Sequence, residues 1–186
     1  MKKQSISRST LNARARKSKG FTLIEVLIVL AIGAGILFAV FAAVSKVQGK
    51  AVAKEASETL NLMVADTRAL YRSQGNFNNI DAETLVNNNV PPRSMVNGSD
   101  IISPWNTAIA VDEATINTTN DAVRFTYPDV PRDDCTGFVQ AAEGSFTRVE
   151  VGGSVVKDVG QTMEVATLGQ ACSSADFVDI AFTQGR

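Results

Sequence analysis

Residues 21–45 read FTLIEVLIVLAIGAGILFAVFAAVS, with Glu25 as the sole charge. As an α-helix this run rises about 37 Å, more than the roughly 30 Å hydrocarbon core of a bilayer. It therefore predicts one membrane span. The 20 residues before it carry Lys2, Lys3, Arg8, Arg14, Arg16, Lys17 and Lys19 and no acidic side chain. Basic residues flanking a span stay on the cytoplasmic side, so the chain after residue 45 is expected on the opposite side. A secretory signal peptide would need a shorter apolar region followed by a small-residue cleavage site. Here the run is longer, and Gly20 precedes it. An unprocessed signal anchor is a second reading of the same residues. Topology accounts for the basic leader without a nucleic-acid ligand.

Glu25 is anomalous in this setting. A carboxylate at membrane depth costs several kcal/mol unless it finds a partner. No Lys or Arg lies within the span. A free α-amino group on Phe21 would serve, and cleavage after Gly20 would create one. Its pKa of about 8 keeps it largely cationic at neutral pH. The alternative without function is a protonated or interface-level Glu25.

The rest of the chain has a different charge. Residues 21–186 carry 11 basic and 19 acidic side chains, so the overall net charge of −1 describes neither segment. Histidine is absent, which excludes Ser-His-Asp and Cys-His catalytic groups and any His-ligated zinc. Two cysteines are too few for a four-thiolate zinc site. No arrangement of residues calls for catalysis or a cofactor. Asp133-Asp134 reads as a solvated helix start, and Asp176 and Asp179 as the solvent side of a strand. Trp105, after Pro104, reads as a core or loop anchor in preference to a surface recognition residue. Asn97-Gly98-Ser99 and Asn117-Thr118-Thr119 match the N-glycosylation pattern, which is short and common.

Past the span the periodicity continues. Ala56, Leu60, Met63, Thr67 and Leu70 recur at spacings of four and three, one face of an amphipathic helix. One helix is predicted over 22–73, apolar all round at first and amphipathic later. Residues 76–105 read as a long connection holding one short helix, 82–88, capped by Asp81. Short strands are predicted at 107–111, 122–127, 146–151, 163–168 and 177–182, with a helix at 132–142. Gly152-Gly153 is a turn signal between strand-like runs. The fold class is then α+β, a long helix packed on an antiparallel sheet, whose strand order is not legible in the sequence. Cys135 and Cys172 would lie in an oxidising compartment, which favours a disulfide over two unpaired thiols.

The string Lys19-Gly20-Phe21-Thr22-Leu23-Ile24-Glu25-Val26 resembles the cleavage site of type IV prepilins. The 20-residue leader is long, which resembles the type IVb class. So do the stretches 71–77, 102–106 and 135–139, YRSQGNF, ISPWN and CTGFV. The class includes toxin-coregulated and bundle-forming pilins and the thin-pilus pilins of conjugative plasmids, which this chain resembles most. One departure is that the apolar helix has Gly33 and Gly35 but no proline.

The resemblance implies three segments: a cleaved leader over 1–20, a membrane and filament-core helix over 21–45, and an exported pilin head over 46–186. It implies cutting between Gly20 and Phe21 by a prepilin peptidase, then pairing of Glu25 with the new Phe21 amine of a neighbouring subunit. It implies an assembly ATPase, an inner-membrane platform protein and the chain itself as partners. The subunit would wait in the inner membrane and end in a surface pilus, as a major pilin for cell or surface contact, a conjugative pilus included. It also supports the Cys135–Cys172 disulfide. A minor pilin, a type II secretion pseudopilin and a membrane-anchored domain that never polymerises are the competing readings. No cofactor, metal or nucleic acid is expected.

Overall fold

The structure, a computed structural model, describes residues 22–186. The chain divides into two compact units between Ala42 and Ala43. Helix α1 covers Leu23–Leu70. Thr22 caps it: the Glu25 N–H lies 3.0 Å from the Thr22 carbonyl and 3.3 Å from its Oγ1, satisfying a donor that the first turn would otherwise leave unpaired.

In the second unit α1 buries Ala53, Ala56, Leu60, Met63, Val64 and Thr67, three and four residues apart as one helix face requires. Buried Thr67 is satisfied by donating its hydroxyl to the Met63 carbonyl at 2.7 Å. Leu70 departs from the predicted stripe. It is 38% exposed, and Tyr71 takes the inward place. A seven-residue repeat drifts by about 20° per heptad on a straight helix, so the positions after Ala56 and Met63 rotate off the core by the last turn.

Seven strands form one sheet in which every pairing is antiparallel. They are β1 (Val96–Asn97), β2 (Asp100–Ile102), β3 (Ala108–Ala114), β4 (Ala122–Pro131), β5 (Arg148–Val151), β6 (Ser154–Lys157) and β7 (Phe177–Gly185). Their order is β1-β2-β3-β4-β7-β5-β6. Strand β7 thus inserts between β4 and β5. Alternation places Val123, Phe125 and Tyr127 of β4, Ile109 and Val111 of β3, and Val178, Ile180 and Phe182 of β7 inward. These meet the α1 stripe in one core. Helix α3 (Arg132–Ala142) adds Phe138 and Val139, and helix α4 (Val165–Cys172) adds Leu168.

Several predicted ends shift, with α1 stopping at Leu70, β5 starting at Arg148, β3 running on to Ala114 and β7 to Gly185, and two further departures have local reasons. Strand β4 continues past Tyr127 through an irregularity in its pairing with β7. Asp129 sits there at φ +54° and donates its N–H to Asp179 Oδ1 at 3.1 Å. The extra residue restores the inward phase, so Val130 is buried again. Residues 163–168, predicted as a strand, instead lead into α4. Val165 is 62% exposed, whereas Leu168, Ala171 and Cys172 are buried. That spacing of three and four is helical.

The predicted connection over 76–105 is more ordered than the sequence suggests. Its short helix, α2 (Ala82–Asn87), is capped by Asp81, which accepts the Thr84 N–H at 2.7 Å. It also contains the β1–β2 hairpin, turning at Gly98-Ser99 with Gly98 at φ +65°. The two-residue loop has glycine at its first position, where a positive φ is needed, so the triplet matching a glycosylation pattern lies at a turn. The β5–β6 hairpin turns at Gly152-Gly153, at φ +54° and +78°. Both values are positive, as a type I′ turn demands.

Between β3 and β4, Asp121 accepts the N–H groups of Ile116, Asn117 and Thr118 at 2.7, 2.9 and 2.9 Å. These bonds, with that from Ile116 the largest contribution, hold its carboxyl below the usual carboxylate range. A group lowered on folding stabilises above its unfolded pKa of about 3.9, and that stabilisation is lost as pH falls through the folded value. In detergent, the urea midpoint of the full chain is expected to fall on acidification below about pH 4. Asp121→Asn should have a shallower acid slope; an identical slope would remove Asp121 from this account.

The Tyr127 hydroxyl is buried with no hydrogen-bond partner among the described residues, and burial raises the pKa of the phenol well above its ordinary value. An unsatisfied buried polar group costs about 1–3 kcal/mol. Tyr127→Phe is therefore expected to keep or raise the urea midpoint, and a clear loss would mean that the hydroxyl is bonded in solution.

Candidate functional site

The first unit presents one chemical feature. Leu23–Phe41 is a 19-residue helical stretch long and apolar enough to cross a membrane, and none of it is buried by the protein. Leu23, Phe38 and Phe41 are 80, 79 and 71% exposed. Burying one such side chain is worth about 1.5–3 kcal/mol, so together they strongly favour an apolar medium. Glu25 is exposed in the first turn of α1, where the helix dipole favours a negative charge. Thr22-Leu23-Ile24-Glu25 also has the capping-box spacing, a local signal that the sequence reading above passed over. Gly20 and Phe21 lie outside the described residues, so the expected cleavage point and the expected Phe21 amine do too.

The head carries the second feature. Cys135 of α3 and Cys172 of α4 form a disulfide, with 5.7 Å between Cα atoms and 37 residues of separation. The sequence places them there for distinct reasons. Cys135 begins the buried face of α3, one turn before Phe138 and Val139, and Cys172 ends the buried face of α4. Pro131 precedes α3, with Asp133 and Asp134 in its first turn, where negative charge is favoured.

Trp105 lies beside this bridge region and is an anchor, as expected. Its indole N–H donates to Asp134 Oδ2 at 2.9 Å, and its ring is 5.1 Å from Phe138 and 6.2 Å from Tyr127. The turn that delivers it is held by Ser103, whose N–H donates to the Thr107 carbonyl at 2.8 Å. Asp134 is thus more than the solvated helix start that the sequence suggests. Asp176, read as solvent-facing, is exposed and lies 3.9 Å from the Arg132 guanidinium.

Among the described residues no group of three or more Cys, Asp or Glu is placed to hold a metal ion. What the arrangement can do is mechanical and associative. An apolar helix offers a surface for lipid or for other apolar helices, and a cross-linked head resists unfolding. Closing a loop of this size contributes roughly 3–4 kcal/mol. Cys135→Ser combined with Cys172→Ser should lower unfolding free energy by about that amount in urea titrations of the detergent-solubilised chain. A double variant as stable as the parent would overturn this reading.

Comparison with known proteins bears on both features. Residues 50–185 match the family model described as PilS N terminal. Residues 15–44 match the prokaryotic N-terminal methylation motif. A comparison with curated protein sequences found no match. Among solved structures, the chain is similar to TcpA, a type IV pilin from Vibrio cholerae El Tor biotype. The TM-score is 0.56 and the identity 18%, covering 74% of this chain and 99% of that one. It is also similar to a type IV b pilin from Salmonella typhi, with a TM-score of 0.53 and 13% identity, covering 70% and 98% of the two chains. At those identities the structural matches speak for the fold, while the family model spans most of the sequence: the chain belongs to the type IV pilin family, in its PilS group, with a type IVb-like fold.

Proposed function

We propose that this chain is the major subunit of a type IVb pilus, made as a membrane-anchored precursor and polymerised into a surface filament. The observation that carries the proposal is the Leu23–Phe41 helix, apolar on all sides and unburied by its own chain, with one carboxylate in its first turn. A plain anchor needs the apolar length; it does not need Glu25. Lipid satisfies the helix before assembly, and a bundle of identical helices satisfies it afterwards.

The basic leader over 1–20 holds the N-terminus in the cytoplasm. A prepilin peptidase cuts between Gly20 and Phe21, removing seven positive charges and freeing the Phe21 amine. Glu25 of an incoming subunit pairs with that amine on a subunit already in the fibre. The ion pair offsets the cost of a charge at membrane depth and fixes the axial register of neighbouring helices. An assembly ATPase and an inner-membrane platform protein drive extrusion. The heads over 46–186 form the outer shell, available for contact with a surface or another cell, including a recipient in conjugation.

Two measurements test this. Protein sheared from the cell surface should begin at Phe21 and weigh two hydrogens less than its reduced form, as the Cys135–Cys172 bond requires; an added methyl mass would show N-methylation. An intact Met1, with all protein in the membrane fraction, would favour the unprocessed anchor. Glu25→Leu should abolish filaments while leaving the subunit in the membrane, and abundant filaments from that variant would sink the pairing mechanism.

A further inference from the structure

Several cations of the head are engaged internally. Lys54, Arg124, Arg132, Arg148 and Lys157 each lie within 4 Å of a carboxylate. Among the described residues of the head, Lys50, Arg68, Arg72, Arg93 and Arg186 form no such ion pair, and three of them, Arg68, Arg72 and Arg186, line one groove of about 510 Å³. Its remaining wall is apolar, made by Ala65, Ala69 and Phe77. Arg186 is tied in place by donating to the Arg72 carbonyl at 3.2 Å. The nearby carboxylate of Asp121 is occupied by three backbone N–H groups.

The groove lies at one end of the sheet. Arg186 donates its N–H to the Asp121 carbonyl, and the next residue, Ala122, starts β4 opposite Gly185. The far end of the same strand pair, where Pro131 faces Phe177, has the opposite character. Asp129, Asp133, Asp176 and Asp179 are exposed there, with Arg132 as the cation among them. Phe177, at the same strand end, is 60% exposed. Ten residues of β4 separate the ends by about 30 Å.

From this opposition we infer that the basic groove receives the acidic, Phe177-bearing end of a second copy of this chain, so that the heads themselves carry a head-to-tail contact. The inference rests on the assembly reading and adds a contact made by the heads, independent of Glu25. The two ends match in charge and in apolar content: three guanidiniums beside an alanine-lined wall against an end with four exposed carboxylates, one guanidinium and one exposed aromatic ring. Because the complementary patches sit at opposite ends of one molecule, the contact is heterologous and repeats without closing, as a fibre requires. Charge pairing of this kind sets partner register and orientation.

The test uses filaments sheared from cells expressing the full chain. Both native cysteines are bonded to each other, so introduced thiols report unambiguously. Ala69→Cys and Phe177→Cys in one chain should give a ladder of covalent multimers on non-reducing gels, whereas each single variant should stop at a dimer or monomer. Abundant filaments without a ladder would overturn the head contact and leave polymerisation standing. Absence of filaments from the parent chain would overturn polymerisation and the contact with it. A second pair of variants covers poor folding of the first. Arg68→Glu with Arg72→Glu should lower filament yield at least tenfold, and adding Asp133→Arg with Asp176→Arg should restore it. An undiminished yield would overturn the inference. So would Arg68- and Arg72-dependent binding of duplex DNA by assembled wild-type filaments, since the groove would then be open in the fibre.

Discussion

The side chains from Leu23 to Val40 are left unburied by their own chain, and that unmet demand governs the protein. Water is the worst of the media available to them. The free energy at stake, about 1.5–3 kcal/mol for each large side chain, sums over the stretch to more than the roughly 5–15 kcal/mol stability of a typical domain. The helix must therefore always be in lipid or among its own kind. A membrane-bound subunit and a filament are two solutions to one solvation problem. The Thr22 cap and the placement of Glu25 in the first turn put the polar chemistry at the end of the helix, where it disturbs this solvation least.

The head solves a separate problem, durability. Its core is conventional: one helix face of Ala53, Ala56, Leu60 and Met63 set against alternating strand residues. Around Trp105, Tyr127, Phe138 and Phe182 the rings meet mostly edge-on, a geometry worth about 0.5–1.5 kcal/mol per pair beyond buried area. The disulfide closes the α3–α4 region onto this cluster. Arg148 meanwhile ties β5 to the loop after β6 by donating to Asp158 at 3.0 Å. Such ties hold the parts of the head together across the sheet.

Much of this was legible in the sequence where periodicity ran long. Helix α1, the Asp81 cap, α3 and the inward residues of β4 and β7 follow from spacing and capping chemistry. The failures were short and local. Residues 163–168 alternated over too few positions to exclude a helix, and the deciding Ala171 and Cys172 lay beyond the window. The β1–β2 hairpin has strands of only two and three residues, too brief to show a period. The Asp129 irregularity depends on Asp179, fifty residues away, and no local pattern encodes it. The basic groove is invisible for the same reason: Arg68 and Arg186 meet only because β7 ends beside Asp121.

The position of β7 also constrains how the head can come into being. It is the final strand along the sequence but occupies the middle of the sheet, bonded to β4 on one side and β5 on the other. Until it arrives, β4 and β5 each expose an open edge lined with apolar residues, and no nearest-neighbour hairpin can substitute. Long-range pairings of this sort close slowly, and unpaired edges invite aggregation in the meantime. The head consequently has no stable half-built form. The head closes only when its final strand has paired on both sides, and a chain tethered by its apolar helix stays moored through the interval in which it is most vulnerable.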